Sequence, residues 1–264
     1  MDPATVERLL AINSQFYQTF AVQFSQTRQR IQPGVHNLLK RVPQKGAILD
    51  LGCGNGELWV TLQQRGFAGR YIGLDSSVEL LEIARQRADQ ENPTNRPVFL
   101  QADLARDWDQ DIEELFHKGS ADSNAPTFDF ILAFAVLHHL PGKTLRHQTL
   151  GKIKRLLAAS GKFFHSEWQF LNSSKLAARV QAWGTVGVDE SLVDTGDYLL
   201  DWRGGGSGLR YVHHFDLQEL EKLATETGFG IEASFHSDGK GGNLGLYQVW
   251  SAVKLGHHAH FDHL

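Results

Sequence analysis

The sequence predicts an open, doubly wound α/β sheet, and three observations carry that expectation. The first is the apolar run Ala47, Ile48, Leu49, Asp50 and Leu51 passing directly into Gly52, Cys53, Gly54, Asn55 and Gly56. Such a run reads as a buried strand, and the glycines supply a turn that a Cβ would obstruct, with residues 57–65 able to continue as a helix. The second is a further short apolar strand, Tyr71, Ile72, Gly73 and Leu74, that ends on Asp75, an acid about 20 positions past the glycines. The third is a strand at residues 97–101 that is again followed by an acid, Asp103.

In a doubly wound sheet, an acid at the end of the second strand can accept hydrogen bonds from the ribose hydroxyls of an adenosine, each charge-assisted bond being worth about 1.5 to 3 kcal/mol. Asp103 is placed to receive the exocyclic amine of an adenine. The alternative for Asp75 is to cap the helix expected over 76–88. Glycine spacing narrows the cofactor. Gly52, Gly54 and Gly56 give G-x-G-x-G, whereas a nicotinamide dinucleotide calls for G-x-G-x-x-G with its pyrophosphate on the helix N-terminus. Glu57 in the first helical turn would repel that pyrophosphate. An adenosine-containing cofactor without phosphates fits better.

Ahead of the sheet, Leu9, Ile12, Phe16, Phe20 and Phe24 fall at three- and four-residue steps, an amphipathic helical segment over 5–27. Six Lys or Arg against two acids occur from Met1 to Lys45, including Arg28 and Arg30. After the third strand comes an acidic helix and a Gly/Ser/Asn-rich loop at 105–127, then a fourth strand at 128–137 that delivers His138 and His139 to the carboxyl edge of the sheet, where open α/β sheets bind ligands. In extended chain these two side chains point apart and do not chelate one metal, so no metal site is expected. The helix at 143–159 carries Lys143, Arg146, Lys152, Lys154 and Arg155, and no acid occurs from Phe130 to Ser166. That basic strip reads as a footprint for RNA phosphates or as a solvated face. A fifth strand at 162–168 precedes an insertion of Gly, Ser and Trp character, placed to form a lid. A helix at 216–227 and an antiparallel pair at 231–236 and 246–253 close the fold, and a His-rich tail at 256–264 is expected to be disordered.

The chain has 264 residues, 41% hydrophobic and 21% charged, enough for one α/β domain with insertions. A net charge of -4 argues against bulk electrostatic binding of nucleic acid, DNA in particular. A single cysteine excludes an internal disulfide and suits a reducing compartment. With no signal-peptide pattern at the start and no run of 18 apolar residues, a cytoplasmic protein without membrane contact is expected.

Taken together, Asp50 to Gly56, Gly73-Leu74-Asp75, Ala102-Asp103-Leu104 and Ala135-Val136-Leu137-His138-His139-Leu140 resemble the successive motifs of class I S-adenosylmethionine-dependent methyltransferases. That resemblance implies a Rossmann-like fold: a mostly parallel seven-stranded sheet with one antiparallel strand and helices on both faces. It also implies three regions, an N-terminal helical cap at 1–46, a methyltransferase domain at 47–255 with a lid at about 169–209, and the tail at 256–264. Within the class, Phe24-Ser25-Gln26-Thr27-Arg28 and Arg210-Tyr211-Val212-His213 resemble segments of the tRNA wobble-uridine carboxymethyl methyltransferases, which esterify a carboxylate. Ile31 stands where that family usually has an aromatic, and Gly241 to Gly245 depart from its closing Asp-Asn-Trp.

The resemblance implies S-adenosylmethionine as cofactor, held by Asp50, Gly52, Gly54, Gly56, Asp75, Ser76, Asp103, Leu104 and Phe134. It implies Arg28, His138 and Arg210 as catalytic residues, the arginines facing the acceptor anion and the cofactor carboxylate, and Tyr17, His139, Tyr211 and His213 on the acceptor side. A small zinc-binding activator protein accompanies the resembling family in eukaryotes. Three acceptor readings follow: a carboxylate on a modified tRNA wobble uridine, a small carboxylate metabolite, or none at all if the chain is a cofactor-binding subunit.

Overall fold

The computed structural model describes residues 1–27, 30–91, 96–117, 126–203 and 206–253. Helix α1 spans Pro3–Thr27, kinked where Phe20 leaves helical geometry at φ -116, ψ 15. Its start is set by Asp2, whose Oδ1 accepts from the backbone N–H of Ala4 at 2.9 Å and of Thr5 at 3.0 Å, with Pro3 in the first turn where its missing N–H costs nothing. Helix α2 covers Pro33–Leu39. Alternation then begins: β1 Ala47–Leu51, α3 Glu57–Gln64, β2 Arg70–Asp75, α4 Val78–Gln90, β3 Val98–Gln101, α5 Trp108–His117, β4 Phe128–Phe134, α6 Lys143–Leu156 and β5 Leu157–Trp168. The short α7 Ser174–Ala177, strands β6 Val180–Gln181, β7 Asp197–Trp202 and β8 Gly208–His213, helix α8 Leu217–Thr227, β9 Phe229–Ser237 and β10 Gly245–Ala252 follow.

The main sheet has the order β3-β2-β1-β4-β5-β10-β9. Strands β1 to β5 pair in parallel, and β10 runs antiparallel to both β5 and β9, so it is the one reversed strand of seven. Order reverses between β1 and β4, which opens a crevice at their carboxyl ends. Near-continuous apolar strands bury both faces. Leu49, Ile72, Ile131 and Phe163 pack to one side with α6 and α8, and Ile48, Tyr71, Leu132 and Phe164 to the other with α2, α3 and α4.

Two boundaries differ from the sequence expectation. Strand β4 stops at Phe134 instead of running to Leu137, because Ala135 turns the chain at φ 60 and its N–H leaves the ladder with β1 for the Ser166 carbonyl at 3.0 Å. Leu137–His139 then form a 3-10 turn, so His138 and His139 are not in extended chain, and their ring centroids lie only 4.4 Å apart. Second, the chain leaves α6 at Leu156 and starts β5 at Leu157, where Gly161 passes so close to Phe128 that a Cβ would sit 2.8 Å from its carbonyl oxygen.

The segment after β5 builds a second, three-stranded antiparallel sheet in the order β6-β7-β8. Helix α1 lies against it: Leu9 and Ile12 pack with Trp183, Leu199 and Tyr211, and Phe16 meets Trp202 edge to face. Gly208 sits against Phe20, where a Cβ would come within 2.5 Å of the ring. Among the described residues, no helix is long and apolar enough to cross a membrane.

Candidate active site

The glycine turn is the floor of the site. Gly52, Gly54 and Gly56 all take positive φ, at 72°, 54° and 73°, conformations that L side chains rarely adopt. Space forbids substitution at two of them as well: a Cβ at Gly52 would lie 2.7 Å from Val136 and one at Gly56 would lie 2.9 Å from Ala84. Asp75, at the end of β2, braces the turn by accepting the Gly54 N–H at 2.8 Å on one oxygen and the Ser77 N–H at 2.9 Å on the other. Capping of α4 falls to Ser77, whose Oγ accepts from the Leu80 N–H at 3.2 Å. Burial pushes the Asp75 carboxyl up, and these backbone bonds pull it back.

Asp50, in β1, is buried and accepts a short hydrogen bond from the Tyr71 hydroxyl. Loss of solvent drives its carboxyl up to about 7, against the pull of Tyr71 and with help from the Asp75 charge. Cys53 is buried within the turn, and burial raises its thiol well above its ordinary value, so it is held as a neutral thiol that fills space.

Above this floor lies a cavity of about 310 Å³. Its wall includes Asp50, Gly52, Gly54, Asp75, Ser76, Asp103, Leu104 and Phe134, all expected from the sequence on the cofactor side. Gly56 does not line it and serves instead to start α3. Among the described lining residues, four carry carboxylates, Asp50, Glu57, Asp75 and Asp103, and one carries a guanidinium, Arg30. Glu57 is partly neutralised by Arg87 at 2.6 Å. That donor set would repel a pyrophosphate and suits a ligand that offers hydroxyls, an amine, an ammonium and a sulfonium.

From the other side, α1 closes the cavity with Leu10, Asn13, Ser14, Tyr17 and Ser25. Ser25 Oγ accepts from Asn55 Nδ2 at 2.8 Å, which ties the end of α1 to the glycine turn. The Tyr17 hydroxyl meets His139 Nε2 at 2.8 Å, and His139 Nδ1 meets the Tyr211 carbonyl of β8 at 3.2 Å. Asn13 completes the junction: its Nδ2 donates to the His139 carbonyl at 3.3 Å, and its Oδ1 accepts the Tyr211 N–H at 2.8 Å. Tyr17 and His139 thus reach the cavity wall together. Sequence reasoning missed Asn13, although a polar residue one turn before Tyr17 on the buried face of a helix was a usable signal.

Four other expected residues lie elsewhere. His138 is 1% exposed and turns from the cavity toward Glu167, with Nδ1 3.0 Å from Oε2. Glu167 also faces His165 at 3.0 Å, and burial pushes this carboxyl well up and His165 down to about 3. Arg210 is buried away from the cavity wall, its guanidinium 4.6 Å from the Trp168 ring centre, 5.5 Å from Phe16 and 5.7 Å from Trp202. The side chains of Tyr211 and His213 join a buried cluster in which both meet Asp197 Oδ1, at 2.7 and 2.6 Å. His213 Nε2 also meets Glu219 at 2.9 Å, and Arg146 Nη1 donates to Glu219 at 3.1 Å. Burial opposes a charge on His213, but the bonds to Asp197 and Glu219 prevail and raise it. This cluster staples the second sheet to α6 and α8. Arg28 and the tail at 256–264 lie outside the described residues. Among the described residues, no group of three His, Cys, Asp or Glu is arranged to hold a metal ion.

A family profile described as a methyltransferase domain matches residues 24–234. The chain belongs to the class I S-adenosylmethionine-dependent methyltransferases. An S-adenosylmethionine-dependent methyltransferase of Methanosarcina mazei has a similar fold, with a TM-score of 0.60 at 21% identity over 84% of this chain and 98% of the other. Among curated relatives, a tRNA (carboxymethyluridine(34)-5-O)-methyltransferase of Schizosaccharomyces pombe is 29% identical over 155 residues, 58% of this chain and 56% of the relative. A trans-aconitate 2-methyltransferase of Azoarcus sp. (strain BH72) is 34% identical over 122 residues, 46% of this chain and 39% of the relative. The chain therefore spans about half or less of these two relatives. This methyltransferase is an enzyme with S-adenosylmethionine as its cofactor, which sets aside the reading of a non-catalytic binding subunit. Asp50, the glycine turn, Asp75, Ser76, Asp103, Leu104 and Phe134 are the residues positioned to hold it, and it supplies an electrophilic methyl group.

Proposed function

We propose that this methyltransferase esterifies a carboxylate of a small acid. One observation carries the reading: the end of the cavity opposite the acidic floor presents the Tyr17 hydroxyl, the His139 imidazole and the Arg30 guanidinium, a set that receives an anion. A carboxylate with an ordinary pKa near about 4.3 is ionised at neutral pH, so methyl transfer to it needs no strong base. It needs alignment with the methyl group and exclusion of water, which α1 and its contacts to the glycine turn and to β8 provide. The acceptors named for the two curated relatives, carboxymethyluridine and trans-aconitate, both carry such a group.

The acceptor's size is argued from α6. In sequence its cations stand without acids, but in the fold Lys143 pairs with Glu226 at 3.0 Å, and Lys152 with Asp107 and Asp109 at 3.0 Å each. Arg155 pairs with Asp109 and Glu113, and Arg146 is buried against Asp197 and Glu219. Cations already paired within the fold release few counterions to RNA phosphates. The tRNA reading keeps the support of Arg210 to His213 and of the S. pombe relative, and an activator protein would belong to it.

Incubation with methyl-labelled S-adenosylmethionine and, in parallel, trans-aconitate with other small di- and tricarboxylates, or bulk tRNA, separates these readings. Label in the acid that mild alkali releases as volatile methanol supports a small carboxylate acceptor, and alkali-labile label in RNA supports the wobble uridine. Label that alkali does not release would remove the carboxylate.

A further inference from the structure

We propose that Tyr17 and His139 form a proton-linked clamp, in which the Tyr17 hydroxyl holds the acceptor's carboxylate only when His139 carries a proton on both ring nitrogens. The inference rests on the carboxylate reading above and specifies how the anion is recognised.

The Tyr211 carbonyl can only accept, so the 3.2 Å contact places a proton on His139 Nδ1. In the neutral ring, Nε2 is then a bare acceptor, and the 2.8 Å contact requires the Tyr17 hydroxyl to donate to it. With its hydrogen committed there, the Tyr17 oxygen shows lone pairs to the cavity and repels a carboxylate. A proton taken up at Nε2 reverses the contact. Nε2–H donates to the Tyr17 oxygen, the Tyr17 O–H turns to the cavity and donates to the anion, and the imidazolium attracts it through the phenol. Anion and proton therefore bind together.

The surroundings leave this exchange to the acceptor. From α1, His139 meets the phenol of Tyr17 and the uncharged Asn13. On its own turn it meets the ring of His138, behind which Glu167 of β5 has its carboxyl pushed up toward the neutral form by burial. From β8 it meets a backbone carbonyl, and the Tyr211 hydroxyl is turned to Asp197. Arg30 and Asp103 line the same cavity with opposite charges. None of these is an anion in direct contact with the ring, so the incoming carboxylate supplies the charge that holds the second proton. Once methylated, the acceptor is a neutral ester, the clamp loses its anion, and that proton leaves to solvent.

The test uses the protein saturated with S-adenosylhomocysteine, with acetate as the anionic probe, following the His139 ring nitrogens by 15N NMR across about pH 5 to 9. Acetate is expected to raise the His139 midpoint by about one unit, a tenfold stabilisation of the doubly protonated ring. In Tyr17→Phe, acetate should leave the midpoint unmoved. In His139→Gln the amide N–H can donate to Tyr17 at every pH, so acetate affinity should be flat over the range. If acetate perturbs the Leu140 amide beside the cavity yet leaves the His139 midpoint in place in the wild type, the clamp is overturned while the carboxylate reading stands. If acetate perturbs no residue of the cavity wall, the carboxylate reading falls and the clamp falls with it.

Discussion

The two ends of the cavity are built differently. At the cofactor end, the groups come from three consecutive strand ends, and their geometry is held by backbone: positive φ at the glycines and Asp75 accepting two N–H groups. At the acceptor end, Tyr17, His139 and Asn13 come from α1 and a 3-10 turn, and β8 contributes only main-chain atoms. A cofactor shared by many enzymes can be met by backbone that tolerates little variation. An acceptor particular to one enzyme is met by side chains on elements that can be exchanged around that floor.

The largest effect should come from removing the brace. Asp75→Ala loses two charge-assisted bonds to the turn, each worth about 1.5 to 3 kcal/mol, and its acceptor oxygens for the ribose. Calorimetry should show S-adenosylhomocysteine affinity down by at least about 100-fold. Affinity within a few-fold of wild type would mean that the turn does not depend on this acid.

Tyr17→Phe should act on the other end alone. Turnover is expected to fall by about 10- to 100-fold, the loss of one hydrogen bond to a charged acceptor, with S-adenosylhomocysteine affinity unchanged. A matching drop in cofactor affinity would erase the distinction between the two ends.

Asp50 sharpens the comparison through pH. Its carboxyl titrates at about 7 in the fold and near about 3.9 when unfolded, so the folded state binds the extra proton between these values. Stability from this group is complete below the unfolded value and is lost as pH rises through about 7. Asp50→Asn should remove that slope from urea unfolding measured between about pH 4 and 7, a change on the order of 2 kcal/mol across the window. An unchanged slope would place Asp50 in water.

The smallest effect is expected at α6. Replacing Lys152 and Arg155 together by Ala removes largely exposed pairs worth at most about 1 kcal/mol each and should leave methylation of a small acid unaltered. A raised KM for tRNA with a shallower salt dependence would assign that face to RNA.

The same contrast governs what was legible in the sequence. The fold and the cofactor wall were legible because glycine spacing and an acid at a strand end are local marks of a local conformation. Which of two adjacent histidines reaches the cavity was not, since it is decided by Ala135 turning at φ 60 and by a 3-10 turn, where an extended strand was expected. Arg210 and His213 were read from a motif as chemistry, and in the fold one is enclosed by aromatic rings and the other joins a staple with Asp197 and Glu219. The basic strip on α6 looked unpaired because its acids arrive from α5, its flanking residues and α8, far away in sequence.

A crystal structure of the S-adenosylhomocysteine complex tests the two-ended cavity most directly. The account predicts the ribose hydroxyls on Asp75 and the sulfur directed toward Tyr17 and His139. A sulfur directed instead toward His138 or Arg210, with Tyr17 remote from it, would contradict the account.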